Sequence, residues 1–469
     1  MRNAICACKK TYGWRNRLIL KFMINNDIKN IAGYALDRCL KNGCTAARLT
    51  LNNNVQSSYS VRNDKLDRLQ QANGSSLYVQ IFTEGKYGAY STNRMERHEL
   101  DKFISNAVDA TKYLSPDNCR KLPDKTLYYK GIEEDLEQYD NSFSNIAPDK
   151  KCDIAFNCAA EIYKKDPMII SVNCEYGDSD DYTYIMDSQG FEGESSQTTF
   201  TLSAECSVKG SGDSKPEGWW YESSIFLDKL IKEGVGKKAF ERAASRLNPR
   251  KLKSGKYNLV VENTVSSRLI SPIISALNGT SIQQNNSFLK GKLGEKVFSE
   301  GFTLTDNPHL KGANGSRFFD SEGIATRNMN IIERGVVNNY YINTYNSLKL
   351  KLPVTIEGPS VPSCDFNYPG KITENHIDIE HILKKCDKGI LVTGFNGGNS
   401  NSSTGDFSFG VQGFYFENGI ILYPIKEMNI TGNIVKLWNG IAEIGTDPRM
   451  SGRWLIPTLA FELVNFSGI

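Results

Sequence analysis

Phe319-Asp320-Ser321-Glu322-Gly323 sets two carboxylates at i and i+2. On a strand that spacing puts both on one face, where they could share acid–base work. The same residues also suit a loop in which Asp320 bonds nearby backbone N–H groups. A second candidate is Thr404-Gly405-Asp406-Phe407. It follows the polar, glycine-rich run Gly394-Phe395-Asn396-Gly397-Gly398-Asn399-Ser400-Asn401, which reads as a loop. A loop of this kind leading into a buried hairpin is either a linker or a binding element. It has no G-x-x-x-x-G-K-S/T pattern, so it does not cradle a nucleotide phosphate. G-x-S-x-G is absent as well, which removes the hydrolase nucleophile elbow.

Metal chemistry finds little support in the four histidines, His98, His309, His376 and His381. None lies in H-E-x-x-H or H-E-x-x-x-H. His98 sits on the polar side of a helix and reads as a surface residue. His376 and His381 are five apart, about 140° around a helix, so they do not face one ion. On a strand they fall on opposite faces. Asp378 reads as an N-cap, with His381 in the first turn of the helix at 378–386.

Apolar spacing defines the elements that carry these residues. Residues 28–42 read as an amphipathic helix closed at Gly43. Strands follow at Ala46–Leu51 and, as a separate element, Ser58–Val61. Asn73-Gly74 reads as a turn leading into Ser76–Phe82. Asn93 with Glu96 resembles a capping box that opens a helix running to Leu114. Residues 115–147 form a polar connection, and a helix is expected at 149–165. Strands are expected at Ile169–Tyr176, Tyr182–Met186 and Thr198–Cys206, with a turn at Asp187-Ser188-Gln189-Gly190. A helix at 225–247 ends before Pro249. From Tyr257 the chain is rich in Gly, Asn and short strands, with helices at 378–386 and 432–444. Asn418-Gly419 is a two-residue hairpin signal between Phe414-Tyr415-Phe416 and Ile420-Ile421-Leu422. The fold class is α+β. An N-terminal α/β region has antiparallel strands and flanking helices, and the C-terminal domain is β-rich, of barrel or sandwich type.

The 469 residues exceed one core, so several domains are expected. We divide the chain into a basic extension at 1–22, two α/β subdomains at 23–115 and 116–250, and the β-rich domain at 251–469. Residues 1–22 carry six basic and no acidic side chains. With a total of +3, residues 23–469 carry 3 − 6 = −3. The extension is expected to be disordered or to precede a natural start at Met23. The mildly acidic body offers no basic face for nucleic acid. No apolar run is long enough to span a membrane. Eleven cysteines without a C-x-x-C pair point to free thiols in a reducing cytoplasm. Cys39, Cys152 and Cys158 fall in expected helices as small core residues.

Several motifs in order then resemble one family. They are Gly315-Ser316-Arg317-Phe318-Phe319-Asp320-Ser321-Glu322-Gly323-Ile324-Ala325-Thr326, Ile332-Glu333-Arg334-Gly335, Tyr345-Asn346-Ser347 and Lys388–Gly394. Gly405-Asp406-Phe407-Ser408, Glu417-Asn418-Gly419, Tyr423-Pro424 and Asn429–Asn433 continue the series. Together they resemble the TldD/PmbA family over about residues 23–469. The resemblance implies a dimer enclosing a peptide-degrading chamber. In the TldD branch it implies zinc held by H-E-x-x-x-H and a distant Cys. The motif belongs just after the first strand of the C-terminal domain. Here that place reads Val265-Ser266-Ser267-Arg268-Leu269-Ile270-Ser271-Pro272-Ile273-Ile274-Ser275, without His, Glu or Cys. The late Cys place, Gly445-Thr446-Asp447-Pro448-Arg449, has none either. The chain therefore resembles the metal-free PmbA (TldE) branch, with no catalytic residues around Ser267, Arg268, Ser271 and Ser275 and no cofactor of its own. The expectation is a non-catalytic subunit beside a zinc-bearing TldD-like partner, or a homodimer when isolated, acting on a peptide substrate. Asp320, Glu322, Thr404, Gly405, Asp406 and Phe407 are expected to line the cleft or the interface. Two alternatives stand: a hydrolase acting alone through Asp320, Glu322 or Asp406, and a binding or modulator protein of the kind the family associates with DNA gyrase.

Overall fold

The computed structural model describes residues 17–131, 134–365 and 377–468 and, from residue 27 on and except at residue 365, their side chains. Of the extension expected at 1–22, residues 1–16 lie outside the described residues, as does His376, whereas residues 17–22 belong to a helix and are not a separate disordered stretch. Helix α1 (Arg17–Lys41) leads into β1 (Ala46–Arg62), β2 (Lys65–Thr83), β3 (Lys86–Thr92) and α2 (Arg97–Lys112). After the connection come α3 (Pro148–Ala160), β4 (Ile169–Asp187), β5 (Glu192–Val208), β6 (Glu217–Ser224) and α4 (Val235–Ser245). The six strands form one antiparallel sheet in the order β3-β2-β1-β4-β5-β6.

Alternation along the long strands explains how one sheet carries two helix pairs. Ala47, Leu49 and Leu51 of β1 are buried with Ile28, Ala32 and Ala35 of α1 and Leu100 and Ile104 of α2. Tyr59 and Val61, of the same parity on the same strand, are buried with Ile154 and Cys158 of α3 and Ala239 and Ala243 of α4. The two helix pairs thus cover opposite ends of one face. On the other face Ile185 packs with Tyr128, Phe191 and Phe319, which joins the sheet to the C-terminal part.

That part begins with β7 (Gly255–Val261), α5 (Ser267–Leu277) and α6 (Gly279–Gln283). It continues through β8 (Thr303–Asp306), β9 (Met329–Glu333), β10 (Val336–Val337), α7 (Thr344–Leu350), β11 (Pro362–Asp365) and α8 (Ile379–Cys386). Next are β12 (Gly389–Ser400), β13 (Asp406–Glu417), β14 (Ile420–Asn433) and α9 (Ile434–Asn439). The chain ends in β15 (Ile441–Ile444), β16 (Arg449–Ser451), β17 (Trp454–Ile456) and β18 (Leu459–Ser467). Strands β7, β12, β13, β14 and β18 close a five-stranded barrel, since β14 pairs with β18 and β18 with β7. Only the β7–β12 pair in this ring is parallel. A second sheet, β10-β9-β8-β11-β17-β16, lies beside it. Fully buried Trp438 of α9 packs on Phe302 and Phe461, and its indole N–H donates to the Leu269 carbonyl of α5 at 3.2 Å.

The α+β class and the C-terminal barrel match the sequence reading; several element boundaries do not. Ser58–Val61 is the end of β1, not a separate strand, and β4 runs unbroken from 169 to 187. Asn73-Gly74 lies inside β2, opposite Val55 and Asn54. Cross-strand pairing here outweighs the turn preference of the dipeptide. The α2 N-cap is Glu96, with no side-chain cap bond, so the Asn93 capping box does not form. Residues 225–234 are turns, and the helix expected at 225–247 is only Val235–Ser245. That at 149–165 ends at Ala160, and that at 432–444 breaks at Gly440 into α9 and β15. Gly394–Ser400 is strand, accommodated by register shifts against β13. The Asn418-Gly419 turn holds, both residues having positive φ (54° and 71°), as does the Asp378 cap on the His381 N–H at 2.9 Å. Cys39 and Cys158 are buried free thiols, and Cys152 is half-buried.

Candidate functional site

The start of α5 is where the chemistry of this fold would be expected, and it faces the 445–449 loop. Asn263 Nδ2 donates to the Asp447 carbonyl at 2.7 Å and to its carboxylate at 3.3 Å. Asp447 also accepts from the Thr458 N–H at 2.9 Å and hydroxyl at 2.7 Å. One residue earlier, Glu262 takes both guanidinium nitrogens of Arg242 on α4, at 3.0 and 2.7 Å, and a bond from the Thr264 hydroxyl. Bidentate pairing of this type fixes both partners. Buried Ser266 donates towards backbone carbonyls. The α5 residues that follow, Leu269, Ile270, Ile273, Ile274 and Leu277, are core.

These groups do not fit zinc. A catalytic zinc takes three protein ligands from His, Cys and carboxylates. Asn263, Ser266, Ser267, Arg268 and Ser271 supply none, and the nearby carboxylates of Glu262 and Asp447 are committed to other partners. Among the described residues no group of three His, Cys, Asp or Glu side chains could hold a metal ion.

Around this start sits a cationic stack that sequence reasoning missed. The Trp220 ring meets Arg449 at 4.5 Å, Lys238 at 4.6 Å and Arg242 at 5.2 Å. Its indole N–H donates to Glu222 at 2.7 Å, and Arg449 bonds the same carboxylate at 3.2 Å. Strand β6, helix α4 and the 445–449 loop are thereby tied together. The partners are up to 229 residues apart, so no local spacing announces them. Only the adjacent aromatic and basic residue types were visible.

Arg268 links α5 to the glycine-rich strand. Its guanidinium donates to the Gly398 carbonyl at 2.8 Å and lies 4.8 Å from the Phe409 ring centroid, which stacks on Phe407 at 5.2 Å. The neighbouring Thr404-Gly405-Asp406 turn is a clasp. Asn433, the α9 N-cap, donates to the Thr404 carbonyl at 2.8 Å and to Asp406 at 2.9 Å, while the Thr404 hydroxyl donates to Asp406 at 2.8 Å. Those two bonds hold the exposed Asp406 carboxyl below its ordinary pKa. Gly405 has φ 79° and lies against Phe288, so the turn favours glycine.

Asp320 and Glu322 lie elsewhere, at the seam with the N-terminal sheet, and in a turn instead of a strand. Asp320 is 1% exposed. It accepts from the N–H groups of Glu322 (2.9 Å), Ile324 (3.0 Å) and Glu357 (3.2 Å). Burial, with Glu357 and Glu322 close by, pushes its pKa up to about 7. Glu322 accepts from the Thr344 N–H and hydroxyl, both at 2.8 Å, and burial raises its pKa too. The turn is clamped by the 116–147 connection, through Tyr129 N–H to the Gly323 carbonyl at 3.0 Å and Ala325 N–H to Leu127 at 2.9 Å. Phe319 packs on Phe191 at 5.4 Å. The structure thus brings Phe407 and Arg268 together through Phe409, and sets Asp320 and Glu322 in a separate, buried structural turn.

No described helix is long and apolar enough to cross a membrane. Three family models match in order. The PmbA/TldA metallopeptidase domain 1 matches residues 48–111, the central domain 141–247 and the C-terminal domain 254–468. The chain is 29% identical over 409 residues to the metalloprotease PmbA homolog of Buchnera aphidicola, covering 87% of this chain and 90% of that one. It is 27% identical over 395 residues to metalloprotease PmbA of Escherichia coli O157:H7, covering 83% and 85%. A Bacteroides thetaiotaomicron crystal structure, described as a proposed modulator of DNA gyrase, superposes with a TM-score of 0.90 at 47% identity, covering 94% and 99%. TldE from Thermococcus kodakarensis shares the fold, with a TM-score of 0.81 at 19% identity, covering 94% and 100%. With matches running from β1 to β18, the chain belongs to the PmbA/TldD metallopeptidase family.

Proposed function

We propose that this chain is a non-catalytic subunit of a TldD/TldE-type heterodimeric zinc metalloprotease acting on unfolded or small peptides in the cytoplasm. The zinc belongs to a TldD-like partner, and this chain completes the peptide chamber. The observation that carries the reading is the Asn263–Asp447–Thr458 network with the Arg242–Glu262 pair, at the place where a catalytic member needs metal ligands. Among the described residues no cysteine is joined in a disulfide, which agrees with a reducing compartment. Asp320, Glu322 and Asp406 spend their oxygens on bonds within the chain, which weighs against a hydrolase acting alone.

The test is reconstitution. The chain is purified alone and with a TldD-like partner, and bound zinc and cleavage of an unfolded peptide are measured. Zinc and cleavage are expected only in the complex. Zinc-dependent cleavage by the isolated chain overturns the proposal. Failure to form any complex points instead to a regulatory role, as the name of the Bacteroides relative suggests for that protein.

A further inference from the structure

The outer edge of β2 is open over most of its length. Strand β1 pairs along the whole of one side, but β3 covers the other side only from Leu77 to Thr83. Residues 65–74 are exposed and Ser75 and Ser76 half-buried, although all of them are regular strand. Among the described residues, none outside β1 hydrogen-bonds the main chain of 65–76. The opposite edge of the same sheet is covered. There Arg246 donates to the Glu217 carbonyl and Arg449 to the Tyr221 carbonyl of β6, both at 2.6 Å. A bare strand edge is a template for another strand, and charges, bulges or proline usually blunt it. On β2 the blunting is confined to one end. Lys65, the bulge at Asp67 and Arg68 lie next to the Asn63-Asp64 turn, and Arg68 is engaged by Glu175 at 3.1 Å. From Leu69 to Ser76 there is no charge and no proline. Leu66 pairs with Val61, Leu69 with Tyr59 and Asn73 with Val55, so Leu66, Leu69 and Val55 share one face of the sheet. At 46%, 49% and 38% exposure they form an apolar strip beside the open edge.

We infer that this edge pairs with the same edge of a second copy of the chain, antiparallel about a two-fold axis at Leu69, so that the two N-terminal sheets join into one. The occupant follows from the fit. A free edge of this length needs an equally long free edge opposite it. Strands β3 and β6, at the two ends of the sheet, are shorter, and β6 is capped by its arginines. A two-fold axis perpendicular to the sheet keeps each face on its own side, so the leucines of the two copies meet. With Leu69 opposite its equivalent, Arg68 faces Gln70 and Leu66 faces Gln71 across the bulge, and no like charges are opposed. An axis at Arg68 would set two arginines face to face. An axis at Gln71 or beyond would drive the Asn63-Asp64 turn of the second copy into Thr92 of β3, which already pairs with Leu77. This contact needs neither zinc nor a chain of another kind, so it stands apart from the partner role proposed above.

The test uses the isolated full chain in solution. Sedimentation across a dilution series gives the mass, and hydrogen exchange reads the amides of residues 65–76. A dimer is expected, with exchange in 65–76 slowing as concentration rises. Leu66→Lys together with Leu69→Lys should raise the dissociation constant at least about 10-fold. Both side chains are already exposed, so the circular dichroism of the variant should match the parent. Leu69→Cys should link two copies on mild oxidation, because the axis sets the two sulfurs opposite each other. Tyr113→Cys, 90% exposed at the end of α2, should not. A chain that stays monomeric throughout the series overturns the inference, and so does protection of 65–76 that appears only when an extended peptide is added. A dimer that survives the double lysine substitution, or one in which 65–76 exchange freely, shows that the copies meet elsewhere and overturns it equally. Failure of the zinc-partner reconstitution would leave these outcomes unchanged.

Discussion

Asn263, two residues beyond β7, donates its side-chain amide to both the main-chain carbonyl and the carboxylate of Asp447, 184 residues later. This single residue joins the barrel strand, the start of α5 and the 445–449 loop. Asp447→Ala removes the carboxylate that accepts from the Thr458 N–H and hydroxyl and the longer of the two Asn263 bonds, but leaves the Asn263 bond to the main-chain carbonyl. The expected cost is about 1–3 kcal/mol of stability, read as a lower melting temperature. Asn263→Ala should cost less, because Thr458 still satisfies Asp447. Adding Asn263→Ala to Asp447→Ala should cost further stability, because it also removes the bond to the main-chain carbonyl. No further loss in the double variant would mean that this main-chain bond contributes nothing.

Buried Arg48 and Asp187 form a second tie, between neighbouring strands of the N-terminal sheet. They meet at 2.7 Å with side chains 2% and 0% exposed, and the Tyr128 hydroxyl adds a bond to Asp187 at 2.6 Å. Asp187→Ala leaves a buried guanidinium without its acid and should destabilise by about 3–5 kcal/mol. Arg48→Met with Asp187→Leu should recover part of that loss, since it removes the unpaired charge but not the need for the bonds Asp187 accepts from Tyr128, Gln189 and Phe191. A double variant as unstable as Asp187→Ala would refute this assignment. Hydrogen exchange at Ile185 is expected to speed up in the single variant and to slow again in the double variant.

What could be read from the sequence was local. The Asn418-Gly419 turn, the Asp378 cap and the Asp187–Gly190 turn each follow from two to four residues whose backbone preferences agree. What could not be read was continuity. Strand β1 crosses Asn52-Asn53-Asn54, β2 crosses Asn73-Gly74 and β4 crosses Gly177-Asp178-Ser179 because each of these segments pairs with a long neighbouring strand. Asn, Gly and Ser look like breakers only when the pairing partner is unknown. The candidate carboxylates show the same limit. Asp320 and Glu322 have the spacing for shared chemistry, yet their environment is set by Glu357, Thr344 and the 116–147 connection, which lie far away in sequence.

The hairpin turn makes its own prediction. Gly419 has φ 71°, and a Cβ there would meet the Lys384 backbone of α8 at 2.9 Å. Gly419→Ala therefore strains the turn and pushes α8 away from the hairpin. A loss of about 1–3 kcal/mol is expected. Asn418→Gly keeps the positive φ accessible and should be within about 0.5 kcal/mol of the parent. The measurement is thermal melting of the two variants side by side. Equal melting would mean that α8 does not rest on the turn.

Asp320 predicts a pH dependence whose sign follows from burial. Its carboxyl is pushed up to about 7 in the folded chain, against about 3.9 in an unfolded one. Between those values the folded state binds more protons than the unfolded state, so stability falls as pH rises from about 4 to about 7 and is flat above. Asp320→Asn cannot ionise and keeps an acceptor oxygen for the Glu322 and Ile324 N–H groups, although it loses the bond from the Glu357 N–H. At pH 4.5 the variant should melt below the parent, by the equivalent of about 1 kcal/mol. The gap should close, then reverse, as the pH approaches 7.5. Glu322 and Asp306 are raised in the same direction by burial, but they are present in both proteins and largely cancel in the difference. Melting temperatures at four pH values between 4.5 and 7.5 decide the matter. A constant gap across that window would mean that Asp320 is ionised throughout, its charge carried by the three backbone N–H groups that face it.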